Sequence, residues 1–276
     1  MPWLIQKISG EGTSTPFVAR VHLGLVELRD HALADEVERR AFDEDLIPLV
    51  ENLAAVRKAA HRIASTIKTH AERVRVGAAV VHRGPAVEVD ESIDRDLTDA
   101  LGKLYERGYA ASKSLQAVTR RLGLSIGWLF QKEAAFREGI ESYRQRGQEA
   151  LADYLAAVRA WSQEFLARRA AFTHSGEGTV ASEYRLGTNH TIEFVPPGVD
   201  GMPLDQYALR TANRIIRLAE DLVAHAVASR LKSPMILCEI PREVRDPSIV
   251  RRFKLGIEGA ESEPWRITYE EDDSLV

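Results

Sequence analysis

The strongest constraint on this chain is an apolar stripe that keeps returning with the period of an α-helix. Val37, Phe42, Leu46, Leu49, Val50, Leu53, Val56, Ala60, Ile63 and Ile67 recur at intervals near three and four. This spacing predicts a long amphipathic helix from Ala32 to about Thr69, with Pro48 as a kink or boundary because proline donates no backbone hydrogen bond. A second helix is expected from Ile93 to Leu122, introduced by the acidic run Glu88 to Ser92 and ended by Gly123. A third, rich in aromatics, starts near Ser125 and either breaks at Gly147 or passes through it. Beyond it, Leu151, Tyr154, Leu155, Val158, Trp161, Phe165 and Leu166 form the cleanest stripe, and Leu204 to Leu231 resumes the period.

Between the stripes the composition changes. Residues 1 to about 30 mix short apolar alternation with Gly10, Gly12 and Pro16 and read as a loose, partly extended segment. Val74 to Val89 is either a fraying helix end or a short extended connection. Tyr184 to Val195 suits a small hairpin around Gly187, Thr188 and Asn189, and Pro196 to Gly201 is turn chemistry. Strands are expected at Met235 to Ile240, Phe253 to Ile257 and Arg266 to Tyr269. The fold class expected is therefore mainly α: a helical bundle with long amphipathic helices, a small β-hairpin insertion and a minor C-terminal α/β or irregular appendage. Its segments are 1–31, 32–232 and 233–276.

Charge narrows the function classes. The 276 residues carry 37 Lys and Arg against 41 Asp and Glu, a formal charge of -4, which excludes a uniformly basic nucleic-acid coat but not a local basic patch. Cys238 is the only cysteine, so no intramolecular disulfide can form. The start lacks the basic and apolar regions of a signal peptide, and no run approaches the length of a membrane span, so a cytoplasmic protein without membrane attachment is expected. The histidines show no zincin spacing, a phosphate-cradling Gly-Lys-Ser loop is missing, and Gly10-Glu11-Gly12 lacks the context of a dinucleotide fingerprint. Neither a metal nor a cofactor is expected.

Chemistry concentrates where the best-patterned helix ends, at Arg168-Arg169-Ala170-Ala171-Phe172-Thr173-His174-Ser175-Gly176. A guanidinium holds a phosphate through several donors, and an imidazole moves a proton near neutral pH. Together they suffice for metal-free RNA cleavage, in which His174 activates the ribose 2′-hydroxyl or protonates the leaving 5′-oxygen while Arg169 stabilises charge on the phosphoryl group. DNA lacks that internal nucleophile.

With four residues between Arg169 and His174, and five between Arg168 and His174, the segment resembles the HEPN superfamily over roughly residues 93–231. The resemblance extends to the aromatic helices with Phe136 and Trp161, the glycine-rich break, the hairpin-like connection and the final helix from Leu204. It implies a helical, usually dimeric protein acting as a metal-independent endoribonuclease. Arg169 and His174 would be catalytic, and Arg168, Thr173 and Ser175 would bind substrate. It further implies RNA as a partner, a homodimer, and a protein antitoxin or regulatory partner. Ala170 stands where members often carry Asn or Asp.

Other readings compete. Arg75 with His82 and Arg185 with His190 have similar spacing, but neither follows a patterned core helix. Two arginines at a helix C-terminus are favoured by the dipole alone, and His174 could cap the last carbonyls, which leaves a non-catalytic dimerisation or interaction module as the alternative. Leu115 to Ser125 looks like the helix and turn of a DNA reader, although Ile126, Trp128, Leu129 and Phe130 are poor groove-facing residues. The aromatics Trp128, Phe130, Phe136 and Trp161 suit a core better than a base-stacking platform.

Overall fold

The computed structural model describes residues 17–83, 86–89, 92–174, 180–187, 191–246, 249–260 and 263–270. Its α-helices are α1 (Val18–Ala32), α2 (Glu36–Arg75), α3 (Asp94–Arg121), α4 (Glu133–Gln145), α5 (Glu149–His174) and α6 (Leu204–Ala228). Strands pair as short antiparallel hairpins: β1 (Val80–Arg83) with β2 (Ala86–Val89), β3 (Glu183–Leu186) with β4 (Ile192–Val195), β5 (Gly198–Val199) with β6 (Met202–Pro203), and β7 (Met235–Glu239) with β8 (Phe253–Ile257). The protein is thus mainly α with small β-hairpins. Among the described residues no helix is long and apolar enough to cross a membrane.

Several expectations are corrected. Residues 18–32 are helical rather than loose and extended, because Val18, Val21, Leu25, Leu28 and Ala32 follow the helical 3-4-3-4 spacing. Four of these five are buried. The helix through Pro48 does not end there but continues to Arg75. It is followed by the β1–β2 hairpin, which settles Val74 to Val89 as a helix end plus a strand pair. A four-residue 3-10 turn, Gly127–Phe130, replaces the helix expected at Ser125, and α4 begins only at Glu133. Gly123 and Gly147, with φ of 86° and 71°, occupy the left-handed conformation that closes helices. Arg266 to Tyr269 is not a strand, since nothing among the described residues pairs with it. Instead the Trp265 N–H donates to the Leu237 carbonyl at 2.7 Å, its ring packs on Phe253 at 4.8 Å between centroids, and Ile267 is buried.

The chain divides into two compact units, and α2, α3, α5 and α6 each give a segment to both. Over the described residues, the first comprises 17–52, Ala110–Ser162 and 213–270. Its apolar core includes Leu25, Phe42, Leu46, Leu115, Leu129 and Leu222, none more than 2% exposed. It also buries an ionic network. Arg20 of α1 grips Glu220 of α6 through two bonds of 2.6 Å. Arg252, just before β8, donates to Glu220 at 3.0 Å, Asp221 at 2.5 Å and Glu239 of β7 at 2.7 Å. Tyr154 of α5 donates to Asp221 at 3.0 Å, and Arg245 to Glu239 at 2.9 Å.

Three guanidiniums thereby face three carboxylates, with Arg217 a looser fourth at 3.7 Å from Asp221, and this pairing matters because an uncompensated charge in this setting is expensive. Burial opposes the Glu220 charge, but Arg20 and Arg252 outweigh it and hold its carboxyl below the ordinary range. Burial also acts on Asp221, and with Glu220 alongside it raises that carboxyl despite Arg252.

Over the described residues, the second unit comprises Leu53–Tyr109 and Gln163–Ala212. Leu53, Val56, Ile63, Leu97, Leu104 and Leu204 form its fully buried interior. His70 of α2 is buried as well, 2.8 Å from the Tyr184 hydroxyl and edge-on to Phe194, and so ties the β3–β4 hairpin to α2. Ser182 donates its N–H and hydroxyl to Asp94 at 3.1 and 2.6 Å, which fixes the approach to β3 at the start of α3.

Candidate functional site

The Arg-His segment occupies the last two turns of α5, within the second unit. Aromatic packing positions this helix end. Phe165 and Phe172 lie 5.7 and 5.6 Å from the Tyr105 ring of α3, and the Tyr105 hydroxyl meets that of Tyr207 in α6 at 3.1 Å. A Cβ at Gly102 would stand 3.0 Å from the Phe172 ring, so the absence of a side chain there makes room for that ring. Burial raises both tyrosine hydroxyls above their ordinary range, which keeps them protonated and suits them to structure rather than proton abstraction.

The two arginines have different surroundings. Arg168 donates to Glu164, one helical turn back, at 3.1 Å, pairs with Asp200 and lies near the face of the Tyr207 ring. Its charge is compensated twice. Arg169 places its guanidinium 4.6 Å from the centre of the Tyr109 ring, a cation–π contact that leaves it partly buried. Thr173 is exposed, but its hydroxyl donates to the Arg169 carbonyl at 2.8 Å and so has spent its proton within the helix. His174 is exposed at the end of α5. Ser175 lies outside the described residues, as does His190.

Helical geometry decides what this arrangement can do. At about 100° per residue, Arg169 and His174 leave the axis about 140° apart. A single copy therefore does not close both groups on one phosphate. Arg168, Ala171 and Phe172, spaced i, i+3 and i+4, share another face.

That face lines a cavity of about 720 Å³ which sequence reasoning did not anticipate. Its apolar walls include Leu101, Phe172, Val195, Pro197 and Leu204, and its charged lining is Arg168, Arg185, Glu183 and Asp200. Glu164 with Arg168 is a legible i, i+4 pair, but Asp200 lies 32 residues beyond Arg168 and carries no local signal.

The other candidates dissolve. Arg75 is held by Glu72 at 2.6 and 2.8 Å, while His82 sits on β1. The segment after the Leu115–Ser125 turn is the 3-10 turn noted above, with Ile126 and Leu129 buried, so it offers no recognition helix to a groove. Trp128, half-buried, packs with the half-buried Phe136 and the buried Tyr143 at 5.8 and 5.6 Å. Among the described residues, no group of three or more His, Cys, Asp or Glu side chains could hold a metal ion. No protein-family model, curated protein or solved structure matches the chain.

Proposed function

We propose that the chain is a metal-independent endoribonuclease of the HEPN type, acting in the cytoplasm as a homodimer. The observation that carries this reading is the exposure of His174 at the end of α5, one turn and a half beyond a phosphate-capable Arg169. In the reaction the ribose 2′-oxygen attacks phosphorus and the bond to the 5′-oxygen breaks. His174 takes the 2′-proton or supplies one to the departing oxygen, and Arg169 meets the charge that builds on the phosphoryl oxygens. Because the two groups diverge along the helix, the reading requires a second copy to bring the partner group to the phosphate. Arg168 contributes to substrate binding only if RNA displaces Asp200 from it, and Thr173 only if its hydroxyl rotates off the Arg169 carbonyl.

A second reading has its own observation. Arg168 is neutralised by two carboxylates and Arg169 is stacked on Tyr109, an economy of charge that suits a non-catalytic dimerisation or interaction module. One assay separates the two. Purified protein is incubated with single-stranded RNA in EDTA, beside His174→Ala. Cleavage by the wild type alone supports the nuclease; equal cleavage by both, or by neither, removes it.

A further inference from the structure

We propose that the cavity of the second unit binds a small organic anion with a flat apolar body and one phosphate or carboxylate head. Its volume of about 720 Å³ is large enough to admit a molecule of nucleotide size. The walls suit a flat body: Phe172 leans on Tyr105, and Val195, Pro196, Pro197 and Leu204 add apolar surface. The cavity is half open and these apolar patches share its lining with a larger polar surface, so apolar burial and the charged groups would act together on a ligand.

The charged lining limits the head to one anionic group. Arg168 is committed to Glu164 and Asp200. Arg185 is met by Glu183 at 3.6 Å, and both side chains are largely exposed, at 65% and 71%. Water screens such a pair strongly, so an incoming anion can recruit the Arg185 guanidinium at small cost. The Glu183 and Asp200 carboxylates on the same lining repel a polyanion.

This site is not the Arg169–His174 site. Neither Arg169 nor His174 lines the cavity, and of the residues assigned to RNA only Arg168 is shared with it. Binding in the cavity therefore does not depend on the ribonuclease reading.

The test is a fluorescence titration of the full chain with 1-anilinonaphthalene-8-sulfonate, a flat apolar body with one anionic head. Adenosine monophosphate and indole-3-acetate serve as competitors that separate phosphate from carboxylate recognition, with adenosine as the headless control. The expected result is one saturable site, displaced by at least one of the two anions and not by adenosine. Arg185→Gln should weaken it by about tenfold, as the loss of a charge-assisted bond implies. Ala171→Trp, which fills the cavity, should abolish it. Arg185 is an exposed strand residue, so its variant keeps the test valid even if Ala171→Trp fails to fold. No saturable binding, displacement by adenosine as effective as by the anions, or affinity unchanged in Arg185→Gln would overturn the proposal.

Discussion

Replacing Arg252 by methionine should unbalance the buried network of the first unit, and the structure says which carboxylate suffers. Glu220 keeps its two bonds to Arg20, and Glu239 keeps Arg245. Asp221 loses its 2.5 Å bond and retains the Tyr154 hydroxyl and Arg217 at 3.7 Å, while still facing Glu220 from a position only 1% exposed. Removing one partner of a buried pair costs about 3–5 kcal/mol. That is a large part of the stability of an ordinary domain. The cost should be read from urea unfolding at pH 7 as a shift in midpoint at constant slope. Asp221→Asn in the same background deletes the stranded charge, so the double variant should recover more than 1 kcal/mol of the loss, a coupling expected only for groups in direct contact. The loss should also shrink as pH falls, because Asp221 is already raised by burial and by Glu220 and takes up a proton most readily once Arg252 is gone. A loss below about 1 kcal/mol, set against the 3–5 kcal/mol expected of a buried pair, or strict additivity with Asp221→Asn, would show that Arg252 does not compensate Asp221.

Gly139→Ala should destabilise by about 1–3 kcal/mol despite alanine's higher helix propensity, because the new Cβ would lie 2.1 Å from the Trp128 ring; thermal unfolding of the variant checks this. Leu129→Ala, at a fully buried site, should cost about 2–5 kcal/mol in urea unfolding. Arg169→Ala should lose no more than about 1 kcal/mol, the worth of its contact with Tyr109, so any larger change in its behaviour toward RNA is not a folding defect. Burial lowers the pKa of His225, so the unfolded chain binds its proton more readily than the folded one. The stabilisation this provides is present above the unfolded pKa near 6.5 and is lost as pH falls through the folded value. A His225→Gln variant should accordingly show a flatter decline of unfolding midpoint with acidification below pH 6.5 than the wild type.

The long helices were legible because burial of one face writes a period into a single stretch of sequence, as in Leu46 to Ile67 of α2. α1 has the same period, but the polar Arg20, His22 and Glu27 and the glycine at position 24 fall within it. What makes Arg20 a core residue is Glu220, two hundred positions away. Pairings over such separations leave no local trace, so no local pattern marks Asp200 and Arg185 as lining one cavity. Arg266 to Tyr269 failed for the complementary reason: it has strand-forming residues but no partner among the described residues, and Ile267 is buried without a ladder. At the α5 end, the residue types capable of phosphate chemistry could be read directly. Their contacts could not, since the Tyr109 stack and the Asp200 pair exist only in three dimensions.

On the proposed reading, RNA cleavage uses the ribose 2′-hydroxyl and no metal. The most direct measurement incubates the wild-type protein, in EDTA, with an RNA oligonucleotide and with the same oligonucleotide carrying 2′-deoxy sugars throughout, and then analyses the product ends by mass spectrometry. RNA fragments ending in 2′,3′-cyclic phosphate and 5′-hydroxyl are expected, with the deoxy strand intact. Cleavage of both strands, or fragments bearing 5′-phosphate, would contradict that reading.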